Sequence, residues 1–357
     1  DILLLNEIDF EEDHATIQIF LDEYLAVAQG ATDSDAGAAE PIEYPHVFAA
    51  SVNTGVHSGF DLNGDGIATH TPGSRNYGAD AWGFGLYPGQ YGMALLSRWP
   101  IDEDRVRTFR KFLWKDMPGA LLPDNPATDA PADWYSAEAL EEFPLSSKSH
   151  WDVPVKIDGT ELHILASHPT PPVFDGPEDR NGRRNRDEIR FWLDYTGPPH
   201  RGAYLYDDQG RRGPLGAGTR FVILGDLNGD PHDGQGSEGI AALLAAPQIL
   251  KYPPPASAGG EQQAAAQAGA NLQHQGDPKQ DTLDASDSGG GPGNLRLDYV
   301  LPSANLAVSN SGVFWPADDE PHFDLVGLYP FPSSDHRLVW IDLLLDPGET
   351  GAHDPEE

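Results

Sequence analysis

Residues 220–231 read RFVILGDLNGDP, an apolar strand that runs without a break into a polar turn. The turn delivers Asp226 and, two positions on, Asn228 to the strand's end. An aspartate and an asparagine at that spacing offer oxygen ligands for a hard cation, or a carboxylate and an amide aimed at a phosphate. The same string, DLNGD, occurs at 61–65, followed by Gly66. That copy lies in a glycine-rich stretch, 51–91, with no apolar run in front of it. Only the copy that ends a strand is therefore a candidate for chemistry.

Other apolar runs end the same way. Glu7 follows ILLLN, and Asp298 follows NLRL. Asp335-His336 precedes RLVWIDLLL, and the run LHILAS leads to His168. A lone buried carboxylate is costly. Several acids and histidines converging on one rim imply a bound cation or mutual pairing.

Between these points the chain reads as a layered α/β or α+β domain with its site at the sheet rim. Ile17, Phe20, Leu21, Tyr24 and Leu25 recur at the spacing of one buried helical face, with Asp13 as a candidate cap. MALLS (93–97) reads as a strand. Two alternating runs, 153–157 and 161–166, flank Asp158-Gly159, a strong hairpin signal. Residues 186–195 read as a helix, and 295–301, 306–314 and 337–345 as further strands. The proline- and aspartate-rich stretch 116–147 reads as a surface excursion, and 253–293 as an insertion or long loop. We expect one domain over 1–346 and an acidic tail over 347–357.

Of 357 residues, 57 are acidic and 22 basic, so the formal net charge is −35. That charge argues against a scaffold that grips nucleic acid through a broad basic face, while leaving room for an enzyme that meets phosphate through metal ions. The absence of cysteine removes disulfides, thiol catalysis and cysteine zinc sites together. No run is long and apolar enough to span a membrane. The chain opens at Asp1 and enters ILLL at once, so we expect an upstream segment to have been removed and the protein to be extracellular or periplasmic.

Six motifs, in order, resemble the metal-dependent endonuclease/exonuclease/phosphatase superfamily, whose fold is that of DNase I. They are LLLNEID (3–9), YGMALLSRWPI (91–101), LHILASHPT (162–170), VILGDLNGDP (222–231), LRLDYVLPS (295–303) and SSDHRLVWIDL (333–343). The resemblance implies a four-layer α/β sandwich, two packed and mainly antiparallel sheets flanked by helices. It implies a catalytic Mg²⁺ or Mn²⁺, with Glu7 as a carboxylate ligand and Asp335 as a ligand or near neighbour. Asp226 would orient or deprotonate the attacking water, and Asn228 would hold a phosphate oxygen, both beside the metal. His336 would pair with Asp298 and stabilise the pentacovalent phosphorus, and His168 would contact the phosphate on the leaving-group side. The family's pattern starts with a strand carrying an asparagine that shares the metal site. That strand would precede Asp1, and we expect the native protein to have it.

These residues imply hydrolysis of phosphomonoesters or small phosphodiesters by in-line water attack, in a monomer that binds no membrane. An extracellular nuclease acting on DNA or RNA is the alternative, and an idle calcium-stabilised binding module a third reading. The arginine run 180–186 opens a helix one loop after His168, and Arg184 and Asn185 are expected to face substrate. Asp61, Asn63 and Asp65 match the start of an EF-hand-type loop, but position 12 is Pro72. A structural calcium site and a plain acidic turn are both open there. His163 alternates with Leu162 and Ile164 and is expected to point outward. His57, His70 and His150 show no ligand spacing, and the tryptophans are expected to pack.

Overall fold

The computed structural model describes residues 1–30, 38–68, 70–285 and 290–345. Ten strands carry the architecture: β1 (Ile2–Ile8), β2 (His46–Phe48), β3 (Gly92–Ser97), β4 (Arg107–Thr108), β5 (His150–Ile157), β6 (Thr160–Ser167), β7 (Phe221–Asp226), β8 (Asp298–Pro302), β9 (Ala307–Phe314) and β10 (Leu338–Leu344). One sheet runs β1-β3-β2 and a second runs β8-β7-β6-β5-β4. All these pairs are antiparallel except β6 with β7. The strands β9 and β10 form their own antiparallel ladder. The short helix α1 (Ala15–Ile19) covers the first sheet, and α2 (Arg180–Tyr195) and α3 (Ser237–Ala245) cover the second.

Side chains alternate on a strand, and here both faces of the central strands are covered. In β3, Met93 and Leu95 enter the cluster between the sheets, while Ala94 and Leu96 turn to α1. In β7, Val222 joins the inter-sheet cluster, and Phe221 and Ile223 meet the α2 side. This two-sided burial explains why the strands read as unbroken apolar runs. It also leaves the strand ends as the natural places for charge. The fold is the expected sandwich of mainly antiparallel sheets between helices.

Between β1 and β10 lies a cleft of about 590 Å³. It is bounded by Ile2, Leu3 and Leu4 on one side, by Leu338 to Leu343 on the other, and by Val222 and Leu224 beneath. β1 and β10 each have a partner strand on one side only. At the rim end the cleft reaches Asn6 and Asp298.

Three segments differ from their sequence reading. Residues 116–147 are no surface excursion: Met117, Tyr135, Phe143 and Leu145 belong to the core under α2. Ala139 is buried with them, and Ala120, Leu122, Trp134 and Leu140 pack partly buried against the same core. Residues 253–293 contain a helix, α4 (Ala258–Gln267), and two 3-10 turns, Gly269–Gln273 and Pro278–Gln280. His163 does not point outward. It is 5% exposed, and it contacts Asp152 at 2.6 Å and Glu161 at 3.0 Å. Both faces of β6 are covered, so alternation with leucine and isoleucine did not mean exposure. The tail expected at 347–357 lies outside the described residues.

Burial disfavours charge on His163, but the hydrogen bonds and charges of Asp152 and Glu161 outweigh it and raise its pKa. A raised histidine pKa stabilises the fold fully below the unfolded value, about 6.5, and that contribution is lost as pH rises through the folded value. Urea unfolding at pH 6 and pH 9 should therefore show a larger loss of stability in the wild type than in His163→Gln.

Candidate active site

Strand register assembles the site. β7 and β8 pair antiparallel with Asp226 opposite Asp298. β6 runs parallel to β7, with Ala166 beside Leu224, so the chain leaving β6 brings His168 to Asp226. Gly225 permits this closeness. It sits at φ +146°, and a Cβ there would lie 2.0 Å from the Ser167 carbonyl oxygen. His336 stands just before β10 and lies against Asp298.

Asp226, Asp298 and His336 each offer a ligand atom, all within 4.8 Å of one another, the only such group of three among the described residues. His336 Nδ1 is 2.8 Å from Asp298 Oδ2, and its Nε2 is 4.0 Å from Asp226 Oδ2. Its side chain is 31% exposed, so Nε2 stays open to solvent and substrate. Thr282 Oγ1 donates to Asp298 Oδ2 at 2.7 Å and receives the Asp298 amide at 3.0 Å. His168 Nε2 lies 3.3 Å from Asp226 Oδ2, while its buried Nδ1 has no partner. Asn228, at φ +51°, gives its amide to Asp226 Oδ1 at 2.8 Å. Its side chain donates to Pro169 O at 3.1 Å and to Asp226 Oδ2 at 3.2 Å.

These contacts drive the two carboxylates apart. Burial alone would raise Asp226, but the hydrogen bond and charge of His168, the charge of His336 and the Asn228 amide hold it below the usual range. For Asp298 burial prevails, with the Asp226 charge adding to it, and the carboxyl stays above its usual range despite His336 and Thr282. Burial disfavours charge on His336, but Asp298, Asp226 and Asp335 push it up to about 10. One rim thus holds an ionised carboxylate beside a proton-bearing imidazole.

The remaining expected residues divide. Glu7 is exposed, at φ +59°, on a bulge between Asn6 and Ile8 that shifts the β1–β3 register. The bulge re-aims a strand-end side chain, and the Glu7 charge is felt at Lys148 together with that of Asp226. Asp335 is exposed. Its charge reaches His336, and its carbonyl accepts the Asp284 amide at 2.8 Å. Arg184 and Asn185, expected to face substrate, are buried and turned to backbone carbonyls. Arg184 donates to Leu145 O at 2.8 Å and Pro144 O at 3.0 Å, and lies over the Phe143 ring. Asn185 is fully buried and holds the carbonyls of Thr170, Leu227 and Asn228 at 2.9, 3.0 and 3.2 Å. Arg183 also donates to Leu122 O and pairs with Asp124, while Arg186 pairs with Glu238 at the surface. A buried helix face with free carbonyls around it uses these side chains as internal ties.

The first DLNGD closes on its own amides. Asp61 receives the amides of Gly64, Asp65 and Gly66 at 2.8, 3.1 and 2.7 Å, and Asn63 receives that of Asp65 at 2.8 Å. Asp65 Oδ2 faces His70 at 3.4 Å and Asn76 at 3.3 Å. No compact three-ligand group forms there among the described residues, so the calcium reading gains no geometric support.

Two residues at the rim escaped the sequence reading. Lys148 is 6% exposed and donates no hydrogen bond to a described residue. Burial lowers its pKa against the opposing charges of Glu188, Asp226 and Glu7. The hairpin register held the signal, since His150 pairs with Ser167 and residues just before β5 must lie near those just after β6. The second is Asn6, whose Oδ1 is buried with no donor.

The family model described as Endonuclease/Exonuclease/phosphatase family matches residues 1–336. The chain belongs to that family. No curated protein matches it in sequence. Among solved structures, it is similar to an endonuclease/exonuclease/phosphatase from Beutenbergia cavernae DSM 12333, at 14% identity and a TM-score of 0.48, over 96% of this chain and 62% of that one. This chain thus spans less than two thirds of that protein. A family protein from Leptotrichia buccalis C-1013-b matches at 14% identity and 0.45, over 96% and 87%. Sphingomyelinase C from Streptomyces griseocarneus matches at 17% identity and 0.32, over 71% and 65%.

Glu188 is the support beneath this rim. Fully buried on α2, it receives the amides of Ser147 and Thr170, each at 2.6 Å, beside Lys148 and His168. Glu188→Ala leaves two buried amides without acceptors, at about 1–3 kcal/mol each. Denaturant unfolding should show a loss of about 3 kcal/mol or more for Glu188→Ala, and a smaller one for Glu188→Gln, which keeps one acceptor.

Proposed function

We propose that this chain is a metal-dependent phosphoesterase that hydrolyses phosphomonoesters or small phosphodiesters by in-line attack of water. The observation that carries the reading is the Asp226–Asp298–His336 group at 4.8 Å, with His168 and Asn228 on the same carboxylate. The donor set suits a divalent cation: the hard carboxylate oxygens of Asp226 and Asp298, and the unpartnered Asn6 Oδ1 at the adjoining bulge. Glu7 and Asn6, with the Asp226–Asp298 rim, would hold Mg²⁺ or Mn²⁺. When bound, such an ion polarises a phosphoryl oxygen and offsets developing negative charge.

The chain's own groups supply the rest. Asp226, kept ionised by its neighbours, orients the attacking water and accepts its proton. Asp298 holds His336 by Nδ1, so Nε2 faces outward as a charged donor to the phosphoryl oxygens. Asn228 fixes the turn and adds a neutral donor. His168, whose Nε2 lies 3.3 Å from Asp226 Oδ2, is assigned the leaving-group side. Lys148 adds a buried cation aimed at the same charge.

The net charge of −35 and the internal use of the arginine run favour small esters over long nucleic acid. We further propose an extracellular or periplasmic site of action, on the acidic composition.

The test assays the protein with Mg²⁺, Mn²⁺ or Ca²⁺ against a phosphomonoester, a phosphodiester and plasmid DNA. Turnover of a small ester should exceed plasmid cleavage. Plasmid cleavage in excess would move the assignment to a nuclease, and calcium binding without turnover to a binding module. His336→Ala and Asp226→Asn should each lower kcat by about 1000-fold; full activity in either removes its assigned role. Lys148→Met should lower kcat/KM by about 100-fold while melting no lower than the wild type, because it removes a buried charge without a hydrogen-bond partner.

A further inference from the structure

We propose that a second divalent cation, a partly hydrated Ca²⁺, binds outside the catalytic rim in an acidic cavity walled by Asp233, Glu261 and Asp281. The cavity measures about 220 Å³ and lies where α4 and the turns after it fold back over the loop that follows Asn228. It shares no residue with the proposed catalytic group.

Asp281 carries the argument. It is 6% exposed and lines the cavity, yet its carboxylate accepts no hydrogen bond from any described residue. Its acidic neighbours are all provided for. Asp233 receives the amides of Gln275 and Gly276, each at 2.8 Å. Asp230 receives those of His232, Asp233 and Arg296 at 2.7, 2.9 and 2.8 Å, and Asp277 that of Lys279 at 3.1 Å. No cation among the described residues reaches Asp281. Lys279 Nζ is 3.3 Å from Glu261, and His274 Nε2 is spent on Pro292 O at 2.8 Å. Burial, then Asp230, Asp233 and Asp277, push the Asp281 carboxyl up to about 8. A buried carboxylate among like charges, with no donor, either binds a cation or takes up a proton.

Geometry chooses the kind of ion. No three of these carboxylates lie within 4.8 Å of one another, unlike the catalytic group. A cage of three carboxylates closed on a bare ion is therefore excluded, but the volume accommodates an ion with several waters at about 30 Å³ each. Ca²⁺ accepts such irregular mixtures of carboxylate, carbonyl and water, whereas Mg²⁺ demands a near-ideal octahedron.

Occupancy would be felt at the catalytic rim through one residue. Thr282 follows Asp281. It donates to Asp298 Oδ2 at 2.7 Å, receives the amides of Leu297 and Asp298 at 3.0 Å each, and its carbonyl receives the Arg337 amide at 2.8 Å. An ion on Asp281 fixes the segment that holds the Asp298–His336 pair.

Calcium titration calorimetry and thermal unfolding at pH 8 test this, using the wild type, Asp226→Asn, Asp281→Asn and Glu261→Gln. The expected result is a Ca²⁺ site that raises the melting temperature, survives Asp226→Asn, and loses at least tenfold in affinity in Asp281→Asn. Glu261, exposed at the cavity wall, provides the second variant. Glu261→Gln should weaken Ca²⁺ while leaving the calcium-free melting temperature in place. Two results overturn the proposal. One is calcium binding unchanged in both cavity variants. The other is a wild type indifferent to Ca²⁺ whose stability at pH 8 is exceeded by Asp281→Asn, the behaviour of a carboxyl that is simply protonated.

Discussion

Two carboxylates facing each other across neighbouring antiparallel strands set the terms for this molecule. Asp226 and Asp298 are direct partners in the β7–β8 ladder, a placement where like charges destabilise a sheet. The fold answers by giving them opposite surroundings. Asp226 gathers His168, His336 and the Asn228 amide, while Asp298 is left with burial, one threonine hydroxyl and one imidazole. Separating their proton affinities lets one stay charged at neutral pH and lets the other serve as an anchor. Asn185, Thr282, Gly225 and Glu188 then act as supports for that pair. Each fixes or permits the placement of a backbone segment that carries a rim side chain.

The fold was legible because the strands bury both faces. Runs such as FVILG and MALLS could only be central strands, and acids at their ends could only be rim residues. The Asp298–His336 contact and the nearness of His168 to Asp226 follow from that reading together with the register. Register itself was the hidden quantity. Nothing in a linear string says that the start of β5 meets the end of β6, which is why Lys148 went unseen although its neighbour His150 was weighed.

The misplaced residues share a cause. Arg184, Asn185 and His163 were judged by residue type and spacing, and polar residues at regular spacing suggest a wet face. In the structure each satisfies buried polar partners instead: carbonyls around α2 for the first two, and Asp152 and Glu161 for the third. A layered domain of this size has loops running under its helices, and those loops carry carbonyls that need donors. Arginine and asparagine at a helix start meet that need as readily as they meet a phosphate. Residues 116–147 illustrate the same point from the other side, since their few aromatics sit in the core while their prolines and aspartates dominate the composition.

Charge supplies the last step. A surface at −35 repels any polyanion, but the repulsion is screened within about 8 Å at physiological salt. On the proposed reading, a small phosphate ester within the rim would meet Lys148, His168 and His336 and feel little of the surrounding surface. On that reading a long nucleic acid must lie across that surface for its whole length, and Arg183 and Arg184, which could have met its backbone, are tied to carbonyls of the protein. On the proposed reading, selection for a small substrate needs no dedicated specificity loop. It follows from placing a few cations in the rim of an otherwise anionic molecule.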